Sequence, residues 1–356
     1  MRHPWIAVHG FTMRIAACAV LTFCASQIAM ASGCEGAESA LAAVSRDLGR
    51  NAADAAEHSL APIEASHPDC AEILLDRARI HALRAENSQA ENGFDRYTDL
   101  SPEDPNGYGY LALFLLDQEE YRRADTVSSL GLAKDANNPA VLAARGRILS
   151  MKGQSDQGRE LLEKACQLDP ENADAQYQIG LLYDQAKRKA DAVPHFERAA
   201  ALDPHDATAW DYLALDLEAI GNVDRLDEIY RKGLDGNAAG PHHDAFLDYN
   251  YGRFLMKRGD LENSKVHLDR AVAEVSQVRA VWYERARLNL RMKNYQQART
   301  DAETATNTAD PDAVIIDLQL YTLLEQIYRR LGETALADKY AELCRQTPPP
   351  VPKEYR

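Results

Sequence analysis

Between Ala173 and Pro204 the chain writes out two short amphipathic helices, and the same pattern returns every 34 residues along most of its length. Ile179, Gly180 and Tyr183 fall three or four apart in the first half, and Ala192, Phe196 and Ala199 in the second, which is the helical period. The small residues Gly180, Ala192 and Ala199 let two helix backbones approach, while Tyr183 and Phe196 fill the space beside them. Pro204 closes the pair, because proline has no N–H with which to continue a helix. Such a hairpin is apolar on more than one side and cannot bury itself alone; copies must stack to make a continuous core. A fixed period of this kind restricts the fold more tightly than length does, since each unit packs only on its neighbours.

On this register, units start near residues 37, 71, 105, 139, 173, 207, 245, 279 and 318, giving an array over 32–345 and a proline-rich tail over 346–356. Leu74, Ala78, Ala90 and Phe94 hold the phase in the second unit, Leu142, Gly146, Leu162 and Ala165 in the fourth, and Trp282, Ala286, Tyr295 and Ala298 in the eighth. Two spacings depart from the period. Gly236 to Pro241 reads as a loop carrying four extra residues, and five extra residues precede the last unit, whose first helix is expected to begin at Asp312. The outermost units have the poorest apolar pattern, as capping repeats often do.

The order Gln176, Ile179, Gly180, Tyr183, Ala192, Phe196, Ala199 and Pro204 resembles a tetratricopeptide repeat; the opening tryptophan is missing here and present as Trp210 in the next copy. The resemblance covers nearly all of the chain after its N-terminal segment. It implies an all-α, right-handed superhelical solenoid of about nine hairpins, with first helices lining the concave face. It also implies a scaffold that binds other proteins, with the cargo left open, because members share architecture and differ in ligand. Chaperone-binding members grip a carboxylate with lysines, asparagines and an arginine on three consecutive first helices. The matching phases here hold Tyr177, Leu181, Tyr212, Phe246 and Asn250, so no such clamp is expected.

The N-terminus carries a different kind of signal. Ile15 to Ala25 is an apolar run of 11 residues preceded by Arg14 and followed by Ala29-Met30-Ala31. A basic start, a short apolar core and an A-x-A end make a secretory signal peptide over 1–31, and the core is too short for a bilayer, which needs about 20 residues. Translation from Met13 would give a signal of 19 residues. The expected location is therefore exported, periplasmic or secreted. Ala31-Ser32-Gly33-Cys34 is also similar to a bacterial lipobox, although alanine replaces its usual leucine. Lipidation would anchor the chain to the outer membrane; only then is a membrane partner expected.

Charge and chemistry narrow the function. The formal balance is −15, and −17 once Arg2 and Arg14 leave with the signal, which argues against nucleic acid as partner. Cys34 and Cys70 bracket the first hairpin, whose antiparallel course brings its ends together, so a disulfide between them competes with lipidation for one sulfur. Cys166 and Cys344 sit too many units apart to pair. The histidines, among them His205, His242, His243 and His267, show no metal-ligand spacing, and no catalytic or cofactor-binding motif is present. An enzyme, a metal and a cofactor are accordingly not expected. Above background stands a row on the predicted concave face of the fifth to eighth units. Tyr177, Asp211, Tyr249 and Tyr283 share one phase, Arg253 and Arg287 another, and Asn250 neighbours the first. Tyrosine gives contact area at low entropic cost and arginine pairs with carboxylates, so the expected cargo is a protein or peptide segment, acidic in character. Two other readings stay open, an outer-membrane assembly factor for pilus or exopolysaccharide export, and a glycan-binding protein or enzyme using the tyrosines as sugar platforms.

Overall fold

The computed structural model describes residues 33–239, 244–310 and 314–347; the signal segment 1–31 and all but the first two residues of the tail lie outside the described residues. Among the described residues there are eighteen α-helices and no strand. The first helices of the nine hairpins are α1 (Glu38–Gly49), α3 (Ala71–Leu83), α5 (Pro105–Asp117), α7 (Pro139–Met151), α9 (Ala173–Gln185), α11 (Ala207–Ala219), α13 (Ala245–Arg258), α15 (Arg279–Arg291) and α17 (Asp317–Leu331). Their partners are α2 (Ala53–Ser66), α4 (Asn87–Leu100), α6 (Tyr121–Lys134), α8 (Ser155–Leu168), α10 (Lys189–Leu202), α12 (Leu226–Ala239), α14 (Leu261–Glu274), α16 (Tyr295–Asn307) and α18 (Thr334–Gln346). Each helix packs on its hairpin partner and successive hairpins pack on one another, so the described residues form a solenoid.

Local chemistry sets where helices start and turn. Asp104, Asn138, Asn172, Asp206 and Asp244 each accept a hydrogen bond from a backbone N–H of the first turn they precede, satisfying a donor the helix itself cannot. Every hairpin turn holds one residue in the left-handed region: Asn51, Ala85, Glu119, Gly153, Lys187, Gly221, Gly259, Lys293 and Gly332. These are spaced 34 apart as far as Gly221, then 38, 34 and 39, so the period of the sequence is written in the backbone. Close approach then fixes the small residues. A Cβ on Gly180 would lie 2.7 Å from the ring of Phe196, which is itself wholly buried. At the position that opens each unit, Trp210 and Trp282 donate an indole N–H to the carbonyls of Pro204 and Ser276 at 3.1 and 2.7 Å, and Tyr108 donates its hydroxyl to Pro102 O at 3.1 Å.

Of the two irregular spacings, the first falls elsewhere than the sequence suggests, while the extra residues before the last unit lie ahead of α17 as expected. Gly236 to Ala239 belongs to α12, and no loop begins there. Instead α12 starts five residues after Gly221, against two in the other hairpins, so most of the insertion enlarges the turn of the sixth hairpin. The polar Asn222, Asp224 and Arg225 carry no apolar period there, and that is what marks the turn. The last first helix begins at Asp317; residues 314–316 are not helical, and Asp312 lies outside the described residues.

The N-terminal end is tied in two ways. Cys34 and Cys70 are joined by a disulfide, which links the start of the first hairpin to the start of α3. At its other end, the turn after α1 reaches across the concave side to units that follow more than 100 residues later. Arg50 pairs with Glu171, Asn51 Nδ2 donates to Asp203 at 3.0 Å, and a Cβ on Gly49 would sit 3.1 Å from the Glu171 carbonyl. The first half of the solenoid is thereby closed on itself.

Candidate functional site: the concave face

Successive first helices present equivalent positions to the concave side, so residues far apart in sequence line up across helices. On α11, α13 and α15 they form a continuous polar ladder. Asn250 Nδ2 donates to both carboxylate oxygens of Asp211, at 3.0 and 2.8 Å. Arg253 Nη1 donates to Asn250 Oδ1 at 3.2 Å, and its Nε lies 3.9 Å from Glu284. Arg287 Nη1 closes the run with bonds of 2.9 and 2.8 Å to the two Glu284 oxygens. Tyr249 and Tyr283, each 9% exposed, lie beneath the guanidinium groups of Arg253 and Arg287, at 5.3 and 5.7 Å.

Six of the seven residues expected in the groove are thus brought together, with Glu284 as the member that sequence reasoning missed. Glu284 takes the phase of Asn250 one unit later, and that phase is the signal that was available. Its carboxylate compensates the two arginines, so they do not act as unopposed positive charges. Tyr177 stands apart, packed between Phe196 at 5.8 Å and Tyr212 at 5.9 Å. Ring surface is offered instead by Phe246, 43% exposed at the rim of a concavity of about 460 Å³ that Thr208, Asp211, Tyr212, Leu215 and Asn250 also line.

Burial pushes the Asp211 carboxyl up to about 7, with the charge of Asp244 adding to it and Asn250 and Arg253 opposing. A carboxyl raised in the folded state contributes stability that is present below its unfolded value and lost as pH rises through the folded one. Stability should therefore fall between pH 5 and 7 with a contribution from Asp211 of up to about 1.4 kcal/mol per pH unit. Asp211→Asn should flatten that slope in urea titrations across this range; an unchanged slope would remove the assignment.

A second concavity lies inside the closed half, with a volume of about 440 Å³. Arg79 and Arg147 project into it from α3 and α7, with Tyr110, Leu113 and Asp117 of α5 and Asp174 of α9. Arg79 pairs with buried Asp76 at 3.2 Å and stacks 3.8 Å over Tyr110. Arg147 pairs with Asp117 at 2.7 Å and Asp174 at 3.5 Å. Arg79 and Arg147 hold the phase of Arg253 and Arg287, eight residues after the start of their helices, a recurrence legible in the sequence and overlooked. Elsewhere, burial pushes the Cys166 thiol up to about 12, which leaves it unreactive at neutral pH.

Residues 143–223 and 249–314 match the family model described as tetratricopeptide repeat. A tetratricopeptide repeat-containing protein of Dictyostelium discoideum is 25% identical over 146 residues, 39% of this chain and 54% of that protein, so the match spans about half of its length. Among solved structures, PilF of Pseudomonas aeruginosa is similar with a TM-score of 0.51 at 18% identity, covering 61% of this chain and 97% of that one. Human IFIT1, solved as a dimer with PPP-AAAA, gives 0.50 at 20% identity over 83% of this chain and 69% of that one. At such identities the likeness is one of fold.

Proposed function

Because the chain is a tetratricopeptide repeat protein, a scaffold on which other proteins assemble, we propose that it works in the bacterial cell envelope by holding a segment of another protein along α11, α13 and α15. The observation that carries this reading is Phe246, an aromatic ring left 43% exposed at the rim of a polar, hydrogen-bonded groove. An exposed ring beside satisfied polar groups is the usual anatomy of a binding hot spot. The ladder tunes the cargo. Arg253, Glu284 and Arg287 together keep one net positive charge and Arg287 is the more open of the two arginines, while Asp211 and Asp244 lie near Phe246, so an acidic stretch of the segment belongs at the Arg287 end. Export is supported by the basic, apolar and A-x-A order of residues 1–31 and by the Cys34–Cys70 bond, a linkage that persists in oxidising compartments. That bond also takes the sulfur a lipid anchor would need.

Phe246→Ala should weaken capture of the partner in a crosslinking pull-down from the native envelope by about 2 kcal/mol, roughly thirtyfold. Helicity and melting temperature should stay unchanged, because the ring is exposed. Equal recovery of the same partner by both forms would refute the groove assignment. IFIT1 was solved with PPP-AAAA, but a balance of −15 disfavours a nucleic acid partner here.

A further inference from the structure

The concavity of the closed half shares no residue with the groove assigned above, and its chemistry is of another kind. Arg79 lies in its wall, only 9% exposed. Among the described residues its Nη1 serves Asp76 at 3.2 Å and Ser45 at 3.4 Å, while Nε and Nη2 bond to no group of the protein. The fully enclosed side-chain atoms without a partner are Asp216 Oδ2 and Tyr230 Oη, so these two nitrogens of Arg79 are open to the cavity. Tyr110 covers one face of the guanidinium at 3.8 Å, which leaves the Nε–Nη2 edge as its usable side. Arg285 shows what such an edge does in this chain. Its Nη1 holds Asp269 at 3.2 Å and Trp282 lies against its guanidinium at 4.9 Å. Its Nε and Nη2 then grip both oxygens of a second carboxylate, Asp301, at 3.0 and 2.7 Å. Arg147, also in the cavity wall, spends Nη1 on Asp174 and Nη2 on Asp117, so the two-pronged edge there belongs to Arg79.

We propose that this cavity binds a small carboxylic acid with an apolar body, its carboxylate held by Nε and Nη2 of Arg79. A carboxylate meets that planar edge in two parallel charge-assisted bonds, stronger than neutral ones. Asp76 on Nη1 does not bar a second acid, since Arg285 carries Asp269 and Asp301 in the same arrangement. Leu48, Leu83, Leu113 and Phe114 supply walls for the apolar body, and about 440 Å³ lies in the range of small-molecule sites. Closure of the first half limits the ligand to that size. Gly49 and Asn51 of the first hairpin line the same space as Asn172 and Asp174 of the fifth. Arg50 on Glu171 and Asn51 on Asp203 hold the two ends together, so the cavity is bounded where an open solenoid would admit a chain segment.

The test is calorimetric titration of the full chain with octanoate, octanamide and octylamine. The acid should bind, and the amide and the amine should each bind at least about tenfold more weakly, equal to about 1.4 kcal/mol. Arg79→Lys keeps a charge beside Asp76 and loses the planar edge, so it should weaken octanoate by at least about tenfold with the melting transition retained. Leu113→Trp, which fills the space, should abolish binding in a chain that still melts cooperatively. No heat from octanoate, or equal or tighter binding of the amide or the amine, overturns the proposal on the unaltered chain. Undiminished octanoate binding by a folded Arg79→Lys or Leu113→Trp overturns it as well. Phe246→Ala should leave this binding untouched, so it and the groove assignment fail separately.

Discussion

Replacing Arg285 by leucine should cost the C-terminal units about 3–5 kcal/mol, because it strands a buried carboxylate. Asp301 is 0% exposed, and Arg285 grips both its oxygens, with Nη2 at 2.7 Å and Nε at 3.0 Å. Asn289 and Gln297 each donate to it at 2.9 Å. These amides supply hydrogen bonds and no charge, so removing the arginine leaves a buried anion uncompensated. Adding Asp301→Asn should recover a large part of the loss, since the amide oxygen still accepts while the charge is gone. Urea denaturation of the single and double variants decides it. A loss below about 1 kcal/mol, the size of a surface pair, or a double variant no better than the single, would contradict this account.

Loss of the Cys34–Cys70 bond should lower stability by about 2–4 kcal/mol. The effect should be concentrated in the first hairpin, which among the described residues has a neighbouring hairpin on one side only and reaches the rest through α3 and the turn at Gly49–Asn51. With serine at both positions, amide hydrogen exchange should rise across Glu38–Ser66 and stay level in α13 to α18. A repeat array transmits a local loss mainly to its nearest neighbours. Uniform acceleration along the whole chain, or none in the first hairpin, would count against this.

What could be read from the residues divides along physical lines. The solenoid was legible because its cause is periodic: Gly180 faces Phe196 as Gly252 faces Leu268, and Trp210 caps toward Pro204 as Trp282 does toward Ser276. Insertions were harder to place, because Gly236 and Ala239 look like loop residues yet continue α12, where neighbouring hairpins outweigh weak local propensity. Of the concave face, the shared phases picked out Asp211, Tyr249, Tyr283, Arg253 and Arg287, with Asn250 beside them, and they could not show Glu284 between the two arginines as their counter-charge. The closed half was not legible at all. It depends on Arg50 meeting Glu171 and Asn51 meeting Asp203, contacts set by the accumulated rotation of several units rather than by any local pattern.

The central claim is that a partner segment lies on the concave face of α11, α13 and α15, and site-specific photo-crosslinking in the native envelope tests it most directly. A benzophenone amino acid placed at Phe246 should yield one discrete protein adduct, while the same group at Val266, exposed on the second helix α14, should yield none. An adduct at Val266 with none at Phe246, or the same diffuse products from both, would contradict it.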